Sequence, residues 1–349
     1  MSASPGTVLP GTVLPSRRPA VGATGLVVLV VVLALVSLAS LAWGARDIAF
    51  GDVLSAVFSR DRGIVDQSVV IDQRLPRTLL GLLGGAALGL AGSLLQGISR
   101  NPIADPGLLG VNAGSSLAVV TAIAVLGVSS PAGFVWFAFA GAGVAALVVY
   151  GVASLGWEGA TPVKLALVGA AFTATATSLI TLVLLSDYTV LSQYRFWSVG
   201  SLVIRSFDTI AVVAPLIGVG AVVALSTARF LNSMALGDDL ARGLGQDIGR
   251  GRALVVTAVV LLCGGATALV EPIAFVGLMV PHAARLVVGP DYRWILPWSA
   301  LLGPILLLTS DVVGRLVVRP SELEAGLVVA VLGAPVLIAL VRGRRAVAM

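Results

Sequence analysis

The side chains able to make or break bonds are few and isolated. His282, the only histidine, lies in Pro281-His282-Ala283-Ala284-Arg285. With no cysteine or carboxylate cluster around it, it is a poor metal ligand and better suits a hydrogen-bonded place at an inner helix end. Cys263, the only cysteine, sits in an apolar run and can form no internal disulfide. The sole lysine, Lys164, follows Val163 and precedes Leu165, whereas a phosphate-binding loop needs Gly-Lys-Ser/Thr. The chain therefore lacks a Walker A loop, and any nucleotide energy must come from another subunit. No Ser/His constellation is present either, so the reading assigns no catalytic residues, metal or cofactor. What remains is recognition chemistry at four places. Arg74 and Arg77 bracket Pro76; Arg315 follows Asp311 by four residues, a spacing that pairs charges on a helix. Residues 235–245 read ALGDDLARGLG, and Gly169, Thr173, Thr177 and Thr181 recur every fourth position.

These groups must be held by membrane helices. Of 349 residues, 58% are hydrophobic and 11% charged, and the mean hydropathy is +1.04. A water-soluble domain has no use for that much apolar surface. About 20 apolar residues cross the bilayer as a helix, and the apolar total suits ten such spans. Because the apolar runs are continuous rather than alternating, a β-barrel is excluded. The net charge of +5 comes from arginine. It reads as orientation signal and headgroup anchoring in membrane lipid, not as nucleic-acid binding.

The organising stretch is 74–116. An apolar run at 75–98 breaks at Asn101-Pro102 and restarts at Pro106-Gly107, a helical hairpin with charge at its entrance. Before it, residues 1–22, with a tandem GTVLP repeat, read as a disordered cytoplasmic tail. Residues 23–342 read as one ten-helix transmembrane domain. Its spans are expected near 23–43, 75–98, 108–127, 132–154, 163–185, 208–227, 252–270, 273–288, 294–317 and 324–341. The stretch 44–73 is external with room for a short helix, 187–207 holds an interfacial helix, and 343–349 is a second cytoplasmic tail. Both termini then lie inside, with a modest excess of basic residues on that side. An internal echo, PIADPGL at 102–108 and PIAFVGL at 272–278, fits an inverted transporter repeat, because the count puts the copies on opposite sides.

Within 235–245, Leu236, Leu240 and Leu244 share one helix face. Asp238 and Asp239 favour the first turn, and Gly245 can close the end. Such a helix either lies on the membrane or docks a cytoplasmic motor. The Gly169/Thr173/Thr177/Thr181 stripe either lines a substrate path or, more commonly, lets helices pack closely.

Taken together, RLPRTLLGLLGGAALGLAGSLLQ, NPIADPGLLGVNAG, ALGDDLARGLG, FVGLMVPHAARLVVG and LGAPV resemble the permease subunits of iron-siderophore and vitamin B12 ABC importers, the FecCD type. The resemblance runs from about residue 24 to the end. It implies two permease subunits (a homodimer or a paralogous heterodimer), two cytoplasmic ATPase subunits, and a periplasmic or lipid-anchored binding protein at a bacterial cytoplasmic membrane. It carries ATPase coupling over to Ala235, Leu236, Gly237, Asp238, Asp239, Leu240, Ala241, Leu244 and Gly245. Docking of the binding protein carries over to Arg74, Arg77 and Arg315, and the path beside spans five and ten to Gly169, Thr173, Thr177 and Thr181. Position alone assigns the inner gate to Ala160, Thr161 and Pro162. The tenth span departs from the pattern: Ala325 follows Glu322-Leu323-Glu324 where the family usually has proline after Glu-Leu. The implied function is ATP-driven alternating access for an iron-siderophore chelate, with vitamin B12 or haem as alternative cargo. An ion-coupled secondary transporter is the competing class, with Asp311–Arg315 or Glu271 as its ion relay.

Overall fold

The computed structural model describes residues 18–347 apart from 45–47, 49, 60–64, 156–160, 203–206 and 320. Every regular element among them is helical: α1 (Arg18–Ala42), α2 (Phe50–Ser59), α3 (Val65–Val69), α4 (Leu75–Ser99), α5 (Val111–Leu126), α6 (Pro131–Ala153), α7 (Pro162–Ser186), α8 (Tyr188–Trp197), α9 (Phe207–Ser226), α10 (Ala228–Met234), α11 (Asp238–Gly243), α12 (Ile248–Val270), α13 (Val276–Val288), α14 (Tyr292–Val317) and α15 (Ala325–Val347). Seven helices (α1, α4, α6, α7, α9, α12 and α14) are long and apolar enough to cross a membrane, while α5, α13 and α15 carry shorter apolar runs. The chain is an all-α multi-pass membrane protein. The 1–17 part of the expected tail lies outside the described residues; α1 begins at Arg18 and α15 continues to Val347, both inside stretches read as tails.

The centre is α4. Of the best 18-residue window of its helical run, 78% is buried inside the protein, against 17% for α1 and for α7. Sequence explains the position, since α4 carries glycine where other helices cross it. A methyl at Gly85 would sit 2.5 Å from the Pro304 backbone nitrogen of α14, one at Gly89 would strike the Ser299 carbonyl, and one at Gly92 the Gly277 backbone of α13. With no hydrophobic drive between helices in lipid, such backbone-to-backbone approach is what holds a bundle. A buried hydroxyl pair, Ser93 Oγ to Ser299 Oγ at 2.8 Å, stitches the same seam. On the flank, α1 leans on α14: the Trp298 indole N–H donates to the Gly22 carbonyl at 3.2 Å.

The expected 75–98 span corresponds to α4, which a π-helical turn, Val70–Arg74, joins to α3. The expected 108–127 span starts later, because Pro106–Leu109 form a 3-10 turn ended by Gly110 at φ 68° and α5 begins at Val111.

Candidate functional site

Chemistry gathers at the two ends of α4. At its C-terminal end, Arg100 adopts the left-handed conformation (φ 50°) and closes the helix. Its guanidinium reaches Asp238 Oδ1 at 2.9 Å, while Arg252, near the start of α12, reaches the other oxygen, Oδ2, at 2.8 Å. One carboxylate thus ties α11 to the end of α4 and the beginning of α12, which also shows that α4 and α12 run antiparallel. The amphipathic helix expected over 235–245 is shorter than the sequence indicated. Gly237 at φ 103° separates it from α10, and Gly245 at φ 78° ends it. Ala235 caps the C-terminal end of α10. Of the expected helix face only Leu240 lies within α11, with Leu236 before the Gly237 break and Leu244 at the cap; all three are nonetheless exposed, at 61%, 58% and 61%, whereas Ala241 is fully buried. Among the described residues Asp239 pairs with Arg242, three positions on, at 3.1 Å. The six-residue helix is anchored by one buried alanine and one doubly held aspartate, and the leucines on and beside it form an exposed apolar patch.

At the opposite end, the three arginines form one network. Arg74, buried, donates from Nη1 to the carbonyls of Leu41 (2.8 Å) and Ala42 (2.6 Å), the last residues of α1. Arg315, buried on α14, donates to the Ser40 and Trp43 carbonyls at 3.2 and 2.9 Å and pairs with Asp311 at 2.8 Å. The unsatisfied carbonyls and negative dipole end of α1 are therefore met by two cations. Arg77 bonds Asp311 through Nη2 at 2.7 Å and Glu322 through Nη1 at 2.7 Å. Asp311 is fully buried between the two guanidinia, whereas the Arg77 and Glu322 side chains are 14% and 36% exposed. The Asp311–Arg315 pairing was legible from its four-residue spacing; the 234-residue link from Arg77 to Asp311 was not.

On α7, Gly169 is buried, Thr173 half-buried, and Thr177 and Thr181 exposed. The Thr181 hydroxyl donates back to the Thr177 carbonyl at 2.8 Å and so is satisfied within its own helix. Of the expected inner gate, Thr161 caps α7 by accepting from the Lys164 backbone N–H at 3.3 Å, and Pro162 opens the helix. Ala160 lies outside the described residues. His282 is half-buried on α13, one turn before Arg285. No group of three His, Cys, Asp or Glu among the described residues could hold a metal.

Sequence reading passed over two further groups. Gln96, buried on α4, donates to the Gly277 and Leu278 carbonyls of α13 at 3.4 and 3.3 Å and accepts from Arg285 at 3.2 Å. It closes the motif RLPRTLLGLLGGAALGLAGSLLQ, but a single amide gives no signal of its partner in sequence. Asp105 caps the 3-10 turn by accepting from the Gly107 N–H at 2.9 Å; burial pushes its carboxyl up, and that hydrogen bond opposes the shift. The two echo segments meet: a methyl at Gly277 of the second would lie 2.8 Å from Pro106 Cδ of the first.

Comparison with known proteins adds a third line of observation. A profile of the FecCD transport family matches residues 30–343. The ferric enterobactin transport system permease protein FepD of Escherichia coli (strain K12) is 48% identical over 299 residues, covering 86% of this chain and 89% of that protein. The probable siderophore transport system permease protein YfiZ of Bacillus subtilis (strain 168) is 40% identical over 285 residues, 82% and 86% of the two chains. Among solved structures, an inward-facing metal-chelate type ABC transporter superposes with a TM-score of 0.79 at 28% identity, covering 92% of this chain and 99% of that one.

Proposed function

The chain belongs to the FecCD transport family, permease components of ABC-type importers, and on that premise we propose that it carries an iron-siderophore chelate across a bacterial cytoplasmic membrane. The observation that carries the mechanism is α11, held by Asp238 to both α4 and α12, with exposed Leu240 on it and exposed Leu236 and Leu244 on either side. An ATPase seated on those leucines pushes both helices at once, and ATP binding in a separate subunit becomes movement of the bundle core. The transporter is two permease subunits, two ATPases and a binding protein.

In this reading the chain crosses the membrane ten times, with α5, α13 and α15 completing the seven long helices and both termini cytoplasmic. An inverted repeat is supported by the antiparallel α4 and α12; the echo segments that follow them meet at Pro106 and Gly277 instead of standing on opposite faces, so they lend it no support. The binding protein docks at the arginine end of α4. Arg77, the most accessible of the three, makes the contact, while Arg74 and Arg315 hold the surface beneath it. The outward face of α7, with Thr173, Thr177 and Thr181, meets the second permease subunit beside the path, and Ala160, Thr161 and Pro162 close the inner end.

The test is reconstitution of the chain with its ATPase and binding protein in sealed vesicles. Uptake of radiolabelled ferric siderophore is expected only with ATP and both partners present. Accumulation by the chain alone under an ion gradient would overturn the assignment in favour of a secondary transporter.

A further inference from the structure

We propose that a cavity at the membrane boundary, between the end of α9, α10 and the start of α14, binds the phosphate-bearing headgroup of an anionic phospholipid. Its volume is about 410 Å3, and Arg229 and Arg293 line it together with Ser226 and Tyr292. Depth comes from the sequence of the walls: Ser226 is the last residue of one apolar spanning helix and Tyr292 the first of another. The cavity therefore opens at the level where lipid phosphates lie.

Charge supplies the second argument. Most other arginines that organise this protein are consumed internally, as Arg100, Arg252, Arg77 and Arg315 are by carboxylates. Arg229 and Arg293 are exposed, and among the described residues neither guanidinium pairs with a carboxylate. The nearest acid in sequence, Asp291, is already engaged, accepting from Asn232 at 2.6 Å and from the Arg293 backbone N–H at 2.9 Å. Two cations from elements some sixty residues apart in sequence, at 229 and 293, thus face one space with no counter-ion. A phosphate diester satisfies them through charge-assisted hydrogen bonds. Basic pockets between membrane helices take anionic headgroups for this reason.

The remaining wall is apolar, which selects an amphiphile over a free ion. Leu225, Leu296 and Pro297 line the cavity beside the arginines. On α9, Val219, Val222 and Leu225 are exposed at three-residue spacing, an apolar rail leading away from the cavity along the span. A lipid placing its phosphate at the arginines lays an acyl chain on that rail. Non-specific anchoring would need neither the cavity nor the rail.

Native mass spectrometry of the purified transporter, delipidated and then offered phosphatidylglycerol, phosphatidylcholine of the same chains, or inorganic phosphate, tests this directly. Phosphatidylglycerol is expected to be retained on the wild-type chain. Arg229→Gln/Arg293→Gln should weaken retention roughly tenfold or more, while the charge-matched Arg250→Gln/Arg342→Gln retains it. Ser226→Asp, which keeps both arginines and places an acid at the cavity, should release the lipid as well. Equal retention in both arginine pairs, equal retention of phosphatidylcholine, or protection against thermal unfolding by inorganic phosphate alone would overturn the lipid assignment.

Discussion

At the scale of single residues, the arginine end of α4 distinguishes a structural cation from an available one. Asp311 is fully buried between Arg77 and Arg315. Removing one partner of a buried ion network leaves uncompensated charge and costs about 3–5 kcal/mol. Asp311→Asn is therefore expected to lower the midpoint of thermal unfolding in detergent sharply and to loosen α1, whose last carbonyls depend on Arg315. Glu322 contrasts with it, because a partly exposed pair contributes at most about 1 kcal/mol. Glu322→Gln should leave the unfolding midpoint nearly unchanged. If Arg77 is the docking contact, the same change frees its Nη1 and raises affinity for the binding protein severalfold at low salt, an effect that fades as ionic strength rises. Unchanged affinity would move the contact away from Arg77.

At the scale of elements, α11 separates what holds it from what it offers. Its leucines touch little of their own protein, so replacing Leu236, Leu240 and Leu244 with serine should leave folding and monodispersity intact. Uptake in the reconstituted system should be lost, along with co-purification of the ATPase. Asp238→Asn acts on the other side of the helix: the ATPase stays bound, but ATP hydrolysis proceeds with little transport, since the link to Arg100 and Arg252 is weakened. Wild-type uptake in both variants would defeat the coupling role. Packing within the bundle makes a different demand. Gly92→Val on α4 meets the Gly277 backbone, which cannot move aside like a side chain, so separation of α4 from α13 and loss of folded protein in the membrane are expected.

At the scale of the whole molecule, the outward face of α7 is the one for which a partner subunit has been proposed, and α9 the one proposed for lipid. In a Cys263→Ala background, Thr177→Cys, facing the water-filled path along the subunit seam, should react with a water-soluble maleimide in intact membranes, whereas Val222→Cys on α9 should stay protected by hydrocarbon. Reaction at Val222 and protection at Thr177 would exchange the two assignments. Sequence alone determined that this is a helical multi-pass protein without a nucleotide-binding loop, because bilayer thickness and the requirements of phosphate binding impose patterns local enough to read along one chain. It also located the Asp311–Arg315 pair, whose four-residue spacing is that of a single helix. Tertiary structure alone decided where Asp238, Arg77 and Gln96 find their partners and that Arg74 and Arg315 cap α1. It likewise decided that Arg229 and Arg293 share a cavity. Each of these joins residues far apart in the chain, and only the packing of one helix on another sets such distances.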